Sequence, residues 1–162
     1  MADWAKNILQ VDKEVKKSVV AAFFTSIASK GEFEGEETDL LIDFQKIVPV
    51  TSGDGESDWR KTRRDAWGTK ACYYFGQRKL DENTIEFLTA WTGVPKLMRE
   101  LSRQHPEIKL CYICELESRG RHSIGTFIFH GGEVLSDACY ERGTESYEKY
   151  MKDLYNECDA MG

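Results

Sequence analysis

The basic side chains that precede Trp67 are the residues of this chain best suited to bind an anion. They follow an acidic, glycine-rich stretch at residues 53–58. The four are Arg60, Lys61, Arg63 and Arg64. A cluster of this composition is either a solvated loop whose charges compensate one another or a contact for phosphate beside the tryptophan. We therefore treat the four as candidate partner-binding residues.

Five other residues complete the predicted partner-binding set. Lys70 lies on a predicted strand, and Arg119 and Arg121 lie in a predicted turn at residues 118–123. Tyr147 and Tyr150 belong to an amphipathic segment near the end of the chain. Cations and tyrosines are the side chains that most often anchor a partner.

No motif for catalysis, for a metal or for a cofactor is found in the sequence, and we predict none of the three. The histidines at positions 105, 122 and 130 are scattered, without a neighbouring acid or nucleophile at catalytic spacing. Cys111 and Cys114 have the spacing of a redox or zinc pair, but their segment alternates like a strand. Residues three apart on a strand face opposite ways, so we interpret them as buried structural cysteines.

The composition is that of a single soluble domain. The chain has 162 residues, 41% of them hydrophobic and 31% charged, and a net charge of -6. No apolar stretch approaches the roughly 20 residues of a membrane span, and residues 1–11 do not resemble an export signal. We therefore expect a protein of the cytosol that makes no membrane contact. The acidic balance argues against wholesale coating of nucleic acid but leaves room for a local basic patch.

The first third of the chain is predicted to form a strand, a helix and a second strand. Residues 4–11 form the first strand, and Asp12 caps a helix that stops at Gly31. The apolar stripe of this helix is Val15, Val19, Ala22, Phe23 and Ile27. An acidic loop then leads to a strand at residues 40–50.

The remaining elements come as two hairpins, each followed by a helix. The four strands are residues 64–75, 84–91, 108–116 and 124–129. The first of the two helices lies between Pro95 and Pro106 and carries an apolar face.

The last helix carries a stripe of large side chains at helical spacing. These are Tyr147, Tyr150, Met151, Leu154, Tyr155 and Cys158. Such a stripe packs against a core or binds a partner, and both interpretations stay open.

The order β, α, β, β, β, α, β, β, α indicates an α+β fold. We predict a ferredoxin-like antiparallel sheet with helices on one face and an additional C-terminal helix. One domain spans residues 1–162, with the helical extension at about residues 144–162. The second sheet face is free for binding unless the last helix covers it. Trp67 and Trp91 are predicted to organise the core.

Several motifs in this order resemble the YubB-type, or Api-ninety-two-like, proteins of phages and plasmids. The resemblance is carried by residues 41–49, residues 64–70, residues 87–91 and the segment from Leu101 to Pro106. It implies a ferredoxin-like fold and an origin in a mobile element, and it brings no catalytic residues with it.

Two functional hypotheses follow. The first is a non-catalytic accessory protein of a phage or other mobile element that binds a host protein or protein–nucleic acid complex directly and inhibits a host defence complex, as an anti-CRISPR protein does. The second is a nucleic-acid or small-nucleotide binder that stacks bases on sheet aromatics such as Trp67, Tyr73 or Trp91. The sequence does not define an oligomeric state.

Overall fold

Six antiparallel strands form the sheet on which the rest of the molecule is assembled. The computed structural model describes residues 4–33, 35–51, 58–118 and 121–161. The strands in these ranges are β1 Trp4–Val11, β2 Ser29–Phe33, β3 Glu36–Leu40, β4 Arg78–Asp81, β5 Thr84–Ala90, β6 Lys109–Ser118, β7 Arg121–His130 and β8 Glu133–Glu141. The helices are α1 Lys17–Ile27, α2 Asp58–Trp67, α3 Pro95–Gln104 and α4 Glu145–Met161, and a 3-10 turn lies at Phe44–Lys46.

The main sheet has the order β4-β5-β1-β6-β7-β8. Every neighbouring pair in it is antiparallel, and β1 lies between β5 and β6. β2 and β3 form a separate hairpin. The predicted α+β architecture with an antiparallel sheet is thus confirmed.

The larger core lies on one face of the sheet, under α1 and α3. Phe23 of α1 and Met98 of α3 pack with Leu9 of β1 and Phe87 of β5, and each of these side chains is buried. α3 begins at Pro95, where the fixed φ of proline suits the first helical turn, and ends before Pro106 as predicted.

The opposite face of the sheet is covered by α4. Tyr147 and Leu154 pack with Ile124 of β7 in a second buried cluster, against which Ile8 and Ile113 are also packed. The stripe on the last helix therefore has the core-packing role, and the helices cover both faces of the sheet. Among the described residues, no helix is long and apolar enough to cross a membrane.

Two strands predicted in the middle of the chain are wrong. Residues 40–50 contain the end of β3 and the 3-10 turn, because the Asp43 carboxylate accepts a hydrogen bond from the Gln45 amide at 2.9 Å and closes the turn. Residues 64–75 contain the end of α2, which stops at Gly68 with φ +87°. A glycine with positive φ is the usual helix terminator, and the alternation of apolar residues concealed it.

On the side of β5 away from β1, the strand partner is therefore β4, which the sequence did not predict and which pairs with Thr84, Ile85 and Glu86. Before β4 the chain lies beside β5 at an isolated bridge between Cys72 and Thr89. The Tyr73 amide donates there to the Leu88 carbonyl and the Ala90 amide to the Ala71 carbonyl. β8 was also not predicted, because its side chains are mostly exposed and its apolar alternation is weak.

The details at the two ends of α1 also differ from the prediction. The helix starts at Lys17, since the Asp12 carboxylate accepts from the amide of Glu14 and shapes the preceding turn instead. Gly31, which was predicted to end the helix, lies within β2. Ala22, which was predicted in the apolar stripe, is exposed, and Val20 is buried there instead. The predicted acidic loop is the β2–β3 hairpin.

Trp67 and Trp91, both predicted to organise the core, have different environments in the structure. Trp67 is buried, packs edge-on against Phe44 and donates from Nε1 to the carbonyl of Val48 at 2.8 Å, so its predicted core role is confirmed. Trp91 is 49% exposed, and its predicted core role is wrong. The chain turns out of the sheet directly after Ala90, which carries Trp91 away from the core.

The packing of α4 gives a direct stability test. We expect Leu154→Ala to lower the free energy of unfolding by about 2–5 kcal/mol, because it opens a cavity in a fully buried cluster. Urea denaturation followed by circular dichroism measures this. Lys152→Ala, exposed on the same helix, is the matched control and should change stability little. Equal stabilities of the two variants would show that α4 does not hold the sheet.

Candidate functional site

The predicted basic cluster lies on a helix, not in a loop. On α2, Trp59, Arg63 and Trp67 follow one another at four-residue spacing and form one row. The Arg63 guanidinium lies 4.8 Å from the ring centroid of Trp59 and 5.3 Å from that of Trp67, and its Nη1 donates to the Lys70 carbonyl at 3.3 Å. Arg63 is thus held between two rings, which fixes the helix against the residues that follow it.

The other three basic residues of α2 face solvent. Arg60, Lys61 and Arg64 are exposed and occupy one side of the helix, since Arg64 adjoins Lys61 at i+3 and Arg60 at i+4. The Arg60 guanidinium also lies 5.2 Å from the Trp59 ring centroid. A rigid helix therefore presents three cations together, and we name Arg60, Lys61, Arg63 and Arg64 the basic helix face.

α3 adds basic residues that the sequence did not single out. Lys96, Arg99 and Arg103 are exposed and line a groove of about 390 Å³ that Ala66 of α2 also lines. Arg99 donates from Nε to the Gly132 carbonyl at 2.7 Å, and Arg103 pairs with Glu100 at 2.5 Å. The hydrogen bond from Arg103 lowers the pKa of Glu100. The signal that could have revealed them is the recurrence of cations on the polar side of α3.

The two helices carry a local charge opposite to that of the whole chain. α2 contains four basic and two acidic residues, and α3 contains three basic and one acidic residue. Each helix thus carries +2 in a chain of net charge -6, so the remaining residues together carry -10. Such asymmetry produces a field that draws anions to one region of the surface.

A second groove, also of about 390 Å³, leads away from the basic helix face on its other side. Its lining residues include Lys30, Arg63, Trp67, Tyr74 and Gln77. Gln77 holds the floor in place, because its side-chain oxygen accepts from the Leu41 amide at 2.7 Å and its nitrogen donates to the carbonyls of Ile42 and Tyr73. This groove connects α2 to the segment that carries Tyr74.

Of the predicted binding residues that the structure describes, Arg121, Tyr147 and Tyr150 are not brought to α2 and α3. Arg121 is exposed at the start of β7, and Arg119 lies outside the described residues. Tyr147 is only 5% exposed and its hydroxyl lies 2.5 Å from Nδ1 of His122, while Tyr150 is half-buried and stacks on Tyr140. Both tyrosines belong to α4, on the opposite side of the sheet, and their burial favours a packing role.

The polar groups beneath α4 are bonded to one another. Glu115 accepts from the Lys6 amide at 2.9 Å and from the Tyr155 hydroxyl, and its second oxygen lies 2.8 Å from Nε2 of His122. Lys6 pairs with Glu86 at 3.2 Å and lies over the Tyr155 ring. Buried charges are stable only when paired in this way, so the cluster locks α4 onto the sheet.

Neither a metal centre nor a sheet-face stacking site is seen in the described ranges. No group of three or more metal-ligating side chains occurs there. Of the aromatics proposed to stack bases on the sheet, Trp67 is buried, Tyr73 is half-buried and Trp91 lies beyond the end of β5. Because helices pack on both faces, the helices, the strand ends and the exposed β8 edge are the surfaces open to a ligand in the described part of the chain.

The antiparallel sheet with its packed helices defines a small ferredoxin-like domain. The family model described as "Ferredoxin-like domain in Api92-like protein" matches residues 67–157. The chain therefore belongs to the Api92-like family, as the resemblance had indicated.

One solved structure is similar to this chain, the crystal structure of protein api92 from Yersinia pseudotuberculosis. The identity is 14%, the TM-score is 0.44, and the match covers 63% of this chain and 40% of that chain. The chain thus matches less than half of the length of that relative. No curated protein sequence matches the chain.

The cysteines give a test of the strand faces. Cys114 is buried and Cys111 is half-buried on the other face of β6, as the alternation predicted, whereas Cys139 is exposed. Burial raises the pKa of the Cys114 thiol to about 12, so thiolate is scarce at neutral pH.

We expect iodoacetamide to modify Cys139 quickly and Cys114 only after unfolding, as measured by mass spectrometry of the alkylated peptides. Reaction in guanidinium, where both thiols are accessible, is the control. Rapid labelling of Cys114 in the folded protein would contradict the assigned faces.

Proposed function

We propose that the protein is a non-catalytic binding protein that contacts the phosphates of nucleic acid through the basic helix face. The observation that supports this most is the stripe formed by Arg60, Lys61 and Arg64, three exposed cations on one rigid helix of an otherwise acidic chain. Clustered Arg and Lys side chains are the usual phosphate contacts, because each displaces condensed counterions from the nucleic acid.

The contacts around the stripe support a preformed site. Trp67, packed on Phe44 and bonded to the Val48 carbonyl, anchors α2, and Arg63 lies between Trp59 and Trp67. The exposed cations therefore need little ordering when they bind. The basic residues of α3 lie across the groove that Ala66 of α2 lines and add positive charge to the same side of the sheet. Nucleic acid bound here would be held by electrostatics and would be released by salt.

The test removes three charges from α2. We expect Arg60→Gln, Lys61→Gln and Arg64→Gln together to weaken binding of a short, fluorescently labelled duplex and to reduce the salt dependence of the affinity by about one unit of slope for each phosphate that is no longer neutralised. Fluorescence anisotropy at several salt concentrations measures both. Lys13→Gln, Lys16→Gln and Lys17→Gln, three exposed lysines before and at the start of α1, form the matched control and should leave affinity nearly unchanged. Unchanged affinity in the α2 variant would refute this function.

A second candidate function is direct docking on a host defence complex by a protein of phage or plasmid origin. It is favoured by the acidic edge of the β2–β3 hairpin, where Glu36, Glu37 and Asp39 are exposed. Carboxylates spaced along a strand carry negative charge as a phosphate backbone does. They can therefore bind the Lys- and Arg-rich channel of a complex that normally binds nucleic acid.

Charge reversal of the hairpin tests this candidate. We expect Glu36→Lys, Glu37→Lys and Asp39→Lys together to abolish co-purification of the defence complex from host lysate, because like charges would then oppose the basic channel. The α2 charge variant is the control and should still co-purify. If the unmodified protein retains no defence component in the pull-down, this candidate is excluded.

A further inference from the structure

Trp91 is held in an uncommon backbone conformation at the end of β5. Its φ is +71°, the only positive value among the described residues other than glycine. The Thr92 amide donates to the Ala90 carbonyl at 2.8 Å, which makes Trp91 the central residue of a γ-turn of the strained, positive-φ form. A large side chain in such a turn persists only where surrounding contacts fix the backbone.

Four hydrogen bonds fix this turn. The Thr89 hydroxyl donates to the Thr92 carbonyl at 2.7 Å, and the Thr92 hydroxyl accepts from the Glu117 amide at 3.2 Å. The amides of the next two residues donate to the Glu115 carbonyl and the Tyr112 hydroxyl, at 2.7 and 2.8 Å. The turn is thus built to hold the indole of Trp91 in solvent, 49% exposed.

Other exposed aromatic rings lie at the same end of the sheet. Trp4 is opposite Ala90 in the β1–β5 ladder and is 45% exposed, and Phe75 lies edge-on to it at 6.1 Å. Tyr74 lies beside Phe75 at 5.7 Å between centroids. We name Trp4, Tyr74, Phe75 and Trp91 the aromatic patch. Exposed rings gathered in this way mark a binding surface.

The aromatic patch adjoins the basic helix face on two sides. Cys72 is bridged to Thr89 and the Ala90 amide bonds to the Ala71 carbonyl, so the next positions along this ladder are Lys70 and Trp91. The groove lined by Arg63 and Lys30 is also lined by Tyr74. Glu117 lies on the β6 side of the turn and would repel an anionic ligand there. The backbone of such a ligand would therefore run from the patch toward Lys70 and α2.

We propose that the aromatic patch stacks unpaired bases of a single-stranded nucleic acid whose backbone runs along Lys70 and the basic helix face. This inference rests on the proposed function and adds the substrate class, single strands in preference to duplexes. Bases in a duplex are stacked on one another and unavailable, whereas an unpaired base offers a free π-face to an exposed indole. The neighbouring cations then bind the phosphates, and these contacts do not depend on the base sequence.

The test compares a labelled single strand with the duplex of the same sequence. Trp91→Ala should weaken binding of the single strand about tenfold, leave the salt slope unchanged and leave duplex affinity unchanged. Trp91→Phe, which keeps a ring, should restore most of the affinity. Leu135→Ala, an exposed apolar side chain on β8, is the matched control. Trp4→Ala provides a second variant in a regular strand conformation, and thermal unfolding of each variant checks the fold.

The outcomes separate this inference from the proposed function. Equal affinity for single strand and duplex, unaffected by Trp91→Ala and Trp4→Ala but reduced by the α2 charge variant, would overturn the inference and leave the proposed function standing. Absence of binding to either oligonucleotide at low salt would overturn both. If Trp91→Ala instead releases a protein partner and still binds the single strand, the patch is a protein interface and the inference is overturned.

Discussion

A hydrogen-bond network buried between β1, β5 and β6 is the constraint on which the rest of the structure depends. The Asn7 amide nitrogen donates to the Phe87 carbonyl and to the Thr89 hydroxyl, at 3.3 and 3.0 Å. Its oxygen accepts from the Tyr112 hydroxyl, which also accepts from the amide of Val94. One polar side chain in the centre of the core thus joins three strands and the start of α3.

That network also explains why the connection after β5 is so well defined. Thr89, bonded to Asn7 on one side, bonds to the Thr92 carbonyl on the other, and Tyr112 holds the residue that precedes α3. Burial raises the pKa of Tyr112 far above its usual range, so its hydroxyl stays neutral and keeps both roles. Removing any member would leave several buried polar groups unbonded at once, each at a cost of about 1–3 kcal/mol.

The sequence predicted best those elements whose burial pattern is local and repeated. β6 and the apolar side of α3 were recognised because their buried positions recur at strand and helix periods. The end of α2 was predicted as part of a strand at residues 64–75, because Trp67 and the Gly68 that follows it resemble a strand and turn. The meaning of Gly68 depends on a positive φ that only the helix before it requires. For the proposed binding region, the cations of α2 are recognisable as a cluster in the sequence, but their placement relative to those of α3 depends on tertiary packing. The exposure of Trp91 depends on a turn fixed by residues distant in sequence, which no local pattern encodes.

The outer edge of β8 has a consequence for how copies of this chain meet. The edge strand is exposed along most of its length, with Val134 and Leu135 accessible, and it also carries Glu133, Asp137 and Glu141. An unpaired edge is a template for strand addition, and two such edges brought together would set carboxylates against carboxylates. Repulsion between identical acidic edges therefore keeps the sheet from extending into a fibre. Since salt screens that repulsion, resistance to aggregation should be greatest in dilute buffer and should fall as ionic strength rises.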